Sequence, residues 1–186
     1  MQQSKNTMMR DQSRRTGSRG GFSLVELTVA MIVLGIALSS ITASMLSSMA
    51  LSHVNRETGL ASQAARRQME IISASVRGSS VPSAYGALSA NPNFAVTGLT
   101  PIAGDIDGMS GQIQFPTTTV LGAVQLREDV DDPSLGMPRD LDGLNGIDTA
   151  DHSADAEVLP VRVRIEWRSG AGGTRSLDLE TVLVAR

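Results

Sequence analysis

Arg19-Gly20-Gly21-Phe22-Ser23-Leu24-Val25-Glu26-Leu27-Thr28 is the stretch on which the reading of this chain turns. To its left, residues 1–21 hold five basic residues against one acid, Asp11, in a polar segment rich in Ser, Arg and Gly. To its right, Phe22 to Leu51 is a run of 30 residues with one charged group, Glu26. A basic start followed by an apolar run is a membrane-targeting arrangement, with the basic end kept in the cytoplasm. A 30-residue helix reaches ~45 Å, more than the ~30 Å of a bilayer core, so the run holds a span of roughly 20–25 residues. Ser39, Ser40, Thr42, Ser44, Ser47 and Ser48 dilute its second part, but hydroxyls can bond back to the helix and do not prevent insertion. An ordinary secretory signal is a poorer reading, because Glu26 interrupts the apolar core and no good Ala-x-Ala site follows.

The helical pattern continues beyond the span. Leu51, Val54, Thr58, Ala61, Ala65, Met69, Ile72 and Val76 recur at intervals of three and four, which places them on one helix face. Arg56, Glu57, Gln63, Arg66, Arg67, Glu70 and Arg77 fall on the other faces. Gly78-Ser79-Ser80-Val81-Pro82 ends the pattern. The outer half of such a helix cannot leave its apolar stripe in water, so a globular part must pack against it.

That part is the remainder of the chain. Residues 78–110 are turn-rich and read as an irregular connection with one short strand at most. Gln112–Phe115 and Val120–Arg127 follow as strand candidates. Pro160–Arg168 is the clearest, with Val161, Val163, Ile165 and Trp167 alternating with Arg162, Arg164, Glu166 and Arg168. Ser169-Gly170-Ala171-Gly172-Gly173-Thr174 reads as a hairpin turn. Arg175–Val184 returns with Leu177, Leu179, Thr181 and Leu183 on one face. The expected fold is α+β: a long N-terminal helix, membrane-spanning in its first half, against a small antiparallel sheet of three to four strands. The expected division is residues 1–21 as leader, 22–46 as the membrane half of the helix, 47–77 as its outer half, and 78–186 as a globular β-domain.

The junction Gly21-Phe22-Ser23-Leu24-Val25-Glu26-Leu27, after a basic leader and opening an apolar helix, resembles the processing signal of type IV pilins and of type II secretion pseudopilins. The resemblance implies a pilin-like fold. It implies cleavage between Gly21 and Phe22 by a prepilin peptidase, and N-methylation of Phe22. It implies that Glu26, fifth in the mature chain, sets the register of assembly by pairing with the positive N-terminus of a neighbouring subunit. A carboxylate in an apolar helix costs roughly a few kcal/mol without such a partner, so charge pairing rewards one stagger between helices. One departure is notable: many pilins carry a proline within this helix, and none lies between Phe22 and Val81.

The resemblance makes the chain a structural subunit rather than an enzyme. It would be a single-pass protein of the bacterial inner membrane with its C-terminal domain extracytoplasmic, meeting other pilin or pseudopilin subunits through the N-terminal helix. The short sheet and acidic loop look like those of a minor component. Pilus, secretion and DNA-uptake systems share this N-terminus and stay open as alternatives. So does a single-span, membrane-anchored binding module that never polymerises.

Charge is sorted along the chain. Residues 128–157 hold ten acids and one arginine, Arg139. Within them Asp140, Asp142, Asp148 and Asp151 stand at offsets one, three, nine and twelve of a loop that includes Gly143 and Gly146, a composition that suits Ca²⁺. The EF-hand pattern fails at Leu144 and Asn145, and no flanking helices are expected, so the likeness is to looser calcium loops. The other reading is a solvated loop of Asx turns. His152 reads as a surface residue and His53 as interfacial.

Composition excludes several classes. The chain has no cysteine and two histidines among its 186 residues, which leaves no disulfide framework, no Cys-based zinc site and no thiol nucleophile. Aromatics make up 3%, too few for a base-stacking platform. No folded basic face accompanies the basic start, so no nucleic-acid partner is expected.

Overall fold

The computed structural model describes Gly21 and residues 23–105, 107–144 and 146–184. Residues 1–20 of the expected leader, and Phe22 with its expected cleavage and methylation, lie outside the described residues. The chain falls into two units, Met1–Met45 and Leu46–Arg186. Helix α1, Leu24–Gly78, enters both.

In the first unit every described residue is exposed. The side chains that would meet lipid include Leu27, Val29, Met31, Ile32, Val33, Leu34, Ile36 and Leu38. The hydroxyls of Ser39, Ser40 and Thr42 each donate at 2.9 Å to the carbonyl four residues back, so none is left unbonded in an apolar surrounding. This is one helix long and apolar enough to cross a membrane.

In the second unit the outer part of α1 packs on a four-stranded antiparallel sheet. Helix α2, Val81–Ala90, follows α1. The strands are β1 Asn93–Phe94, β2 Gly111–Gln114, β3 Thr117–Val120, β4 Ala123–Leu126, β5 Val158–Arg168 and β6 Thr174–Val184. The main sheet has the order β1-β2-β5-β6, and β3 and β4 form a separate two-stranded ribbon. The expected stripe supplies the core at Ala61, Ala65, Ile72 and Val76, while Val54 and Met69 are half-buried and Leu51 and Thr58 stay exposed. Against the stripe lie Ile113, Val161, Val163, Ile165 and Trp167. β5 alternates as its sequence predicts.

A second apolar cluster sits beside the first: Val76, Val81, Ala84, Tyr85, Leu126, Leu135, Met137, Leu141, Ala156 and Leu159. Tyr85 meets Phe115 edge-on, with ring centroids 5.2 Å apart, the geometry the ring quadrupoles favour.

Two sequence expectations are corrected here. Residues 78–110 are not simply an irregular connection, because α2 lies within them. The Gly-Ser-Ser-Val-Pro run both ends α1 and starts α2: Ser80 is the N-cap, its hydroxyl accepting the Ser83 N–H at 3.4 Å, and Pro82 occupies the first turn. Val120–Arg127 is not one strand but the turn and second arm of the β3–β4 hairpin, folded at Leu121-Gly122 with φ of 51° and 88°. Positive φ at both central positions is the primed turn that matches strand twist. Gly111 answers a tight approach, since a Cβ there would lie 2.3 Å from the Phe94 ring.

Candidate functional site

Three groups carry the chemistry: the helix start, a carboxylate on the outer helix, and the acidic loop.

At the helix start Gly21 is exposed and precedes the first helical residue, Leu24. A Cβ at Gly21 would meet nothing within 4 Å. Leu27 N–H donates to the Ser23 carbonyl at 3.1 Å, closing the first turn. Glu26 is the acidic residue of that turn and is exposed. A carboxylate there is favoured by the partial positive charge of the free N–H groups.

On the outer helix, Glu57 is half-buried rather than solvated as the helical wheel predicts. Its carboxylate accepts Gly170 N–H at 2.8 Å, the Ser169 hydroxyl at 2.7 Å and the Trp167 indole N–H at 3.3 Å. The Gly170 N–H, then the Ser169 hydroxyl, hold its pKa below the usual carboxylate range. One side chain thus joins α1 to the β5–β6 hairpin. Sequence reading missed it, because the partners lie more than 100 residues away.

The acidic loop is organised from inside. Glu128 is 1% exposed. It accepts backbone N–H groups from Leu141 at 2.5 Å, Asp142 at 3.4 Å and Asp148 at 3.1 Å. His152, expected at the surface, is 2% exposed, and this is a correction. Its backbone N–H donates to the Leu126 carbonyl at 2.9 Å, which carries the ring inward. The ring lies 3.0 Å from Asp148 Oδ1, 3.2 Å from Asp155 Oδ1, 3.7 Å from Asp142 and 3.8 Å from Glu128. Burial opposes charge on the ring, but the Asp148 hydrogen bond and the surrounding carboxylates outweigh it and raise the pKa.

The four aspartates considered for Ca²⁺ each accept backbone N–H groups through one oxygen. Asp140 accepts Gly143 N–H, Asp142 accepts Leu144 N–H, and Asp148 accepts Ala150 N–H. Asp151 accepts Leu126 and Ser153 N–H. Among the described residues, the group whose ligating atoms come within 4.8 Å of one another is Glu128, Asp142 and His152.

Comparison with known proteins adds one match. The prokaryotic N-terminal methylation motif matches residues 17–42. No curated protein and no solved structure matches the chain. The matched segment contains Gly21, Phe22 and Glu26, and it opens the long apolar helix that continues onto the antiparallel sheet. Motif and fold are both similar to those of the type IV pilin and pseudopilin family.

Proposed function

We propose that the chain is a structural subunit, a minor pilin or pseudopilin, cut between Gly21 and Phe22 and built into a type IV pilus or a secretion pseudopilus. The observation that carries the reading is the methylation motif at residues 17–42 opening an uninterrupted apolar helix. Cleavage ahead of that helix leaves the apolar segment on the mature protein. The helix can then sit in the inner membrane, with the sheet domain extracytoplasmic, and later pass into a filament without refolding. Exposed large apolar side chains from Leu24 to Leu51 give neighbouring helices a surface to pack on once lipid is left behind.

Glu26 is the one charged group in that stretch. With Phe22 carrying a positive amine, charge pairing between subunits in a low dielectric fixes the stagger. Cleavage by a prepilin peptidase is required first, because only it frees the amine.

The test is co-assembly. Glu26→Ala is expected to be processed and membrane-inserted like the parent chain, yet absent from sheared or purified filaments. Normal incorporation of this variant would contradict the register role. A processed chain that never enters any filament would mark an anchored binding module instead.

A further inference from the structure

We propose that the outer edge of β6 is a docking edge for an extended strand of a different protein, one that alternates basic and apolar residues. β6 is a border strand of the main sheet, bonded on one side to β5. The register is one-to-one over all eleven residues, from Val158↔Val184 to Arg168↔Thr174, with no bulge. Among the described residues no backbone hydrogen bond outside the β5 ladder engages Thr174–Val184. An eleven-residue strand leaves an open ladder of about 37 Å.

Proteins ordinarily blunt such edges with short strands, proline, charged side chains, bulges or a covering segment. The opposite border shows one of these devices, since β1 is two residues long. Of these devices β6 carries charged side chains, Arg175, Asp178 and Glu180; Thr-Arg-Ser-Leu-Asp-Leu-Glu-Thr-Val-Leu-Val contains no proline, glycine or lysine.

Charge selects the occupant. On one face of β6, Asp178 and Glu180 are about one-third exposed. Their inner-side partners are the arginines of β5, with Arg162 Nε 2.8 Å from Glu180 and Arg164 Nε 3.8 Å from Asp178. On the other face Leu177, Leu179, Thr181 and Leu183 are half-buried. A strand added outside β6 would extend the same two faces, so it needs cations where β5 has Arg162 and Arg164, and apolar residues between them. Self-pairing centred on Leu179 fails this test. It sets Asp178 opposite the second copy's Glu180, and like charges directly opposite are destabilising. The two acids thus admit a basic strand and disfavour a copy of the same strand in that register.

The experiment uses the full chain in detergent micelles and two short capped peptides, one alternating arginine with valine and one alternating glutamate with valine. Saturable binding of the arginine peptide is expected, with about a tenfold preference over the glutamate peptide. Amide exchange within Thr174–Val184 is expected to slow at every second residue, those facing away from β5. In D178N/E180Q, the charge preference is expected to vanish while backbone protection persists. Should that variant fail to fold, the comparison of the two peptides on the parent chain still decides. No saturable binding, equal binding of both peptides, or concentration-dependent protection of β6 in the chain alone would each overturn the proposal.

Discussion

The Glu57 carboxylate receives two side-chain donors and one backbone donor from the end of β5 and its turn. Hydrogen bonds to a charged group contribute about 1.5–3 kcal/mol, and Glu57→Ala is expected to lower stability by about that amount. Trp167 is the single tryptophan of the chain, so its fluorescence reports the loss directly in a denaturant titration. The sign of the pH dependence follows from a pKa held low in the fold. The stabilisation is complete above the ordinary carboxylate range and is lost as pH falls through the depressed value. Glu57→Gln should therefore flatten the acid side of a melting-temperature profile; an unchanged acid limb would contradict the assignment. Glu128 acts on a different scale, because three backbone N–H groups of the acidic loop close on one buried carboxylate. Glu128→Ala leaves those donors without their acceptor and is expected to cost about 3 kcal/mol or more. The loss is read as fast amide exchange at Leu141, Asp142 and Asp148.

At the scale of elements, the β3–β4 turn holds a non-glycine residue, Leu121, at φ 51°, and its side chain is fully exposed. Asparagine tolerates this conformation better, so Leu121→Asn should raise stability by about 0.5–1 kcal/mol in thermal melts. Such a turn was illegible in the sequence because Leu-Gly lacks the Asn-Gly signal, and Val120–Arg127 then reads as one apolar run. Helix α2 was missed for a related reason. Its ten residues carry two serines, a glycine and a proline, a turn-like composition, and tertiary burial of Val81, Ala84 and Tyr85 supplies the stability that propensity does not. By contrast α1, β5 and β6 were legible, because long amphipathic periods survive local noise. The acidic loop was half legible: charge density marked it, but the buried Glu128 and His152 that organise it come from its two ends. Calorimetric titration of the full chain with calcium separates the two readings of the loop: saturable heat with a raised melting temperature marks a calcium loop, and no saturable heat marks a loop of Asx turns.

For the whole molecule, residues 1–21, the proposed leader, carry five of the 16 basic residues and one of the 19 acids, so their removal would leave a markedly acidic chain. Leader and mature chain thus differ in sign. The basic segment fits retention on the cytoplasmic side of the membrane. The proposed roles of Gly21, Phe22 and Glu26 are all drawn from one short stretch: a cut, a new amine and a carboxylate four residues on. The central claim is that the cut falls before the apolar helix and not after it. Mass spectrometry of the protein extracted from membranes tests this most directly. A mature chain beginning at N-methylated Phe22, with the apolar helix retained, is predicted; a chain still carrying its leader, or one beginning beyond Leu51, would contradict it.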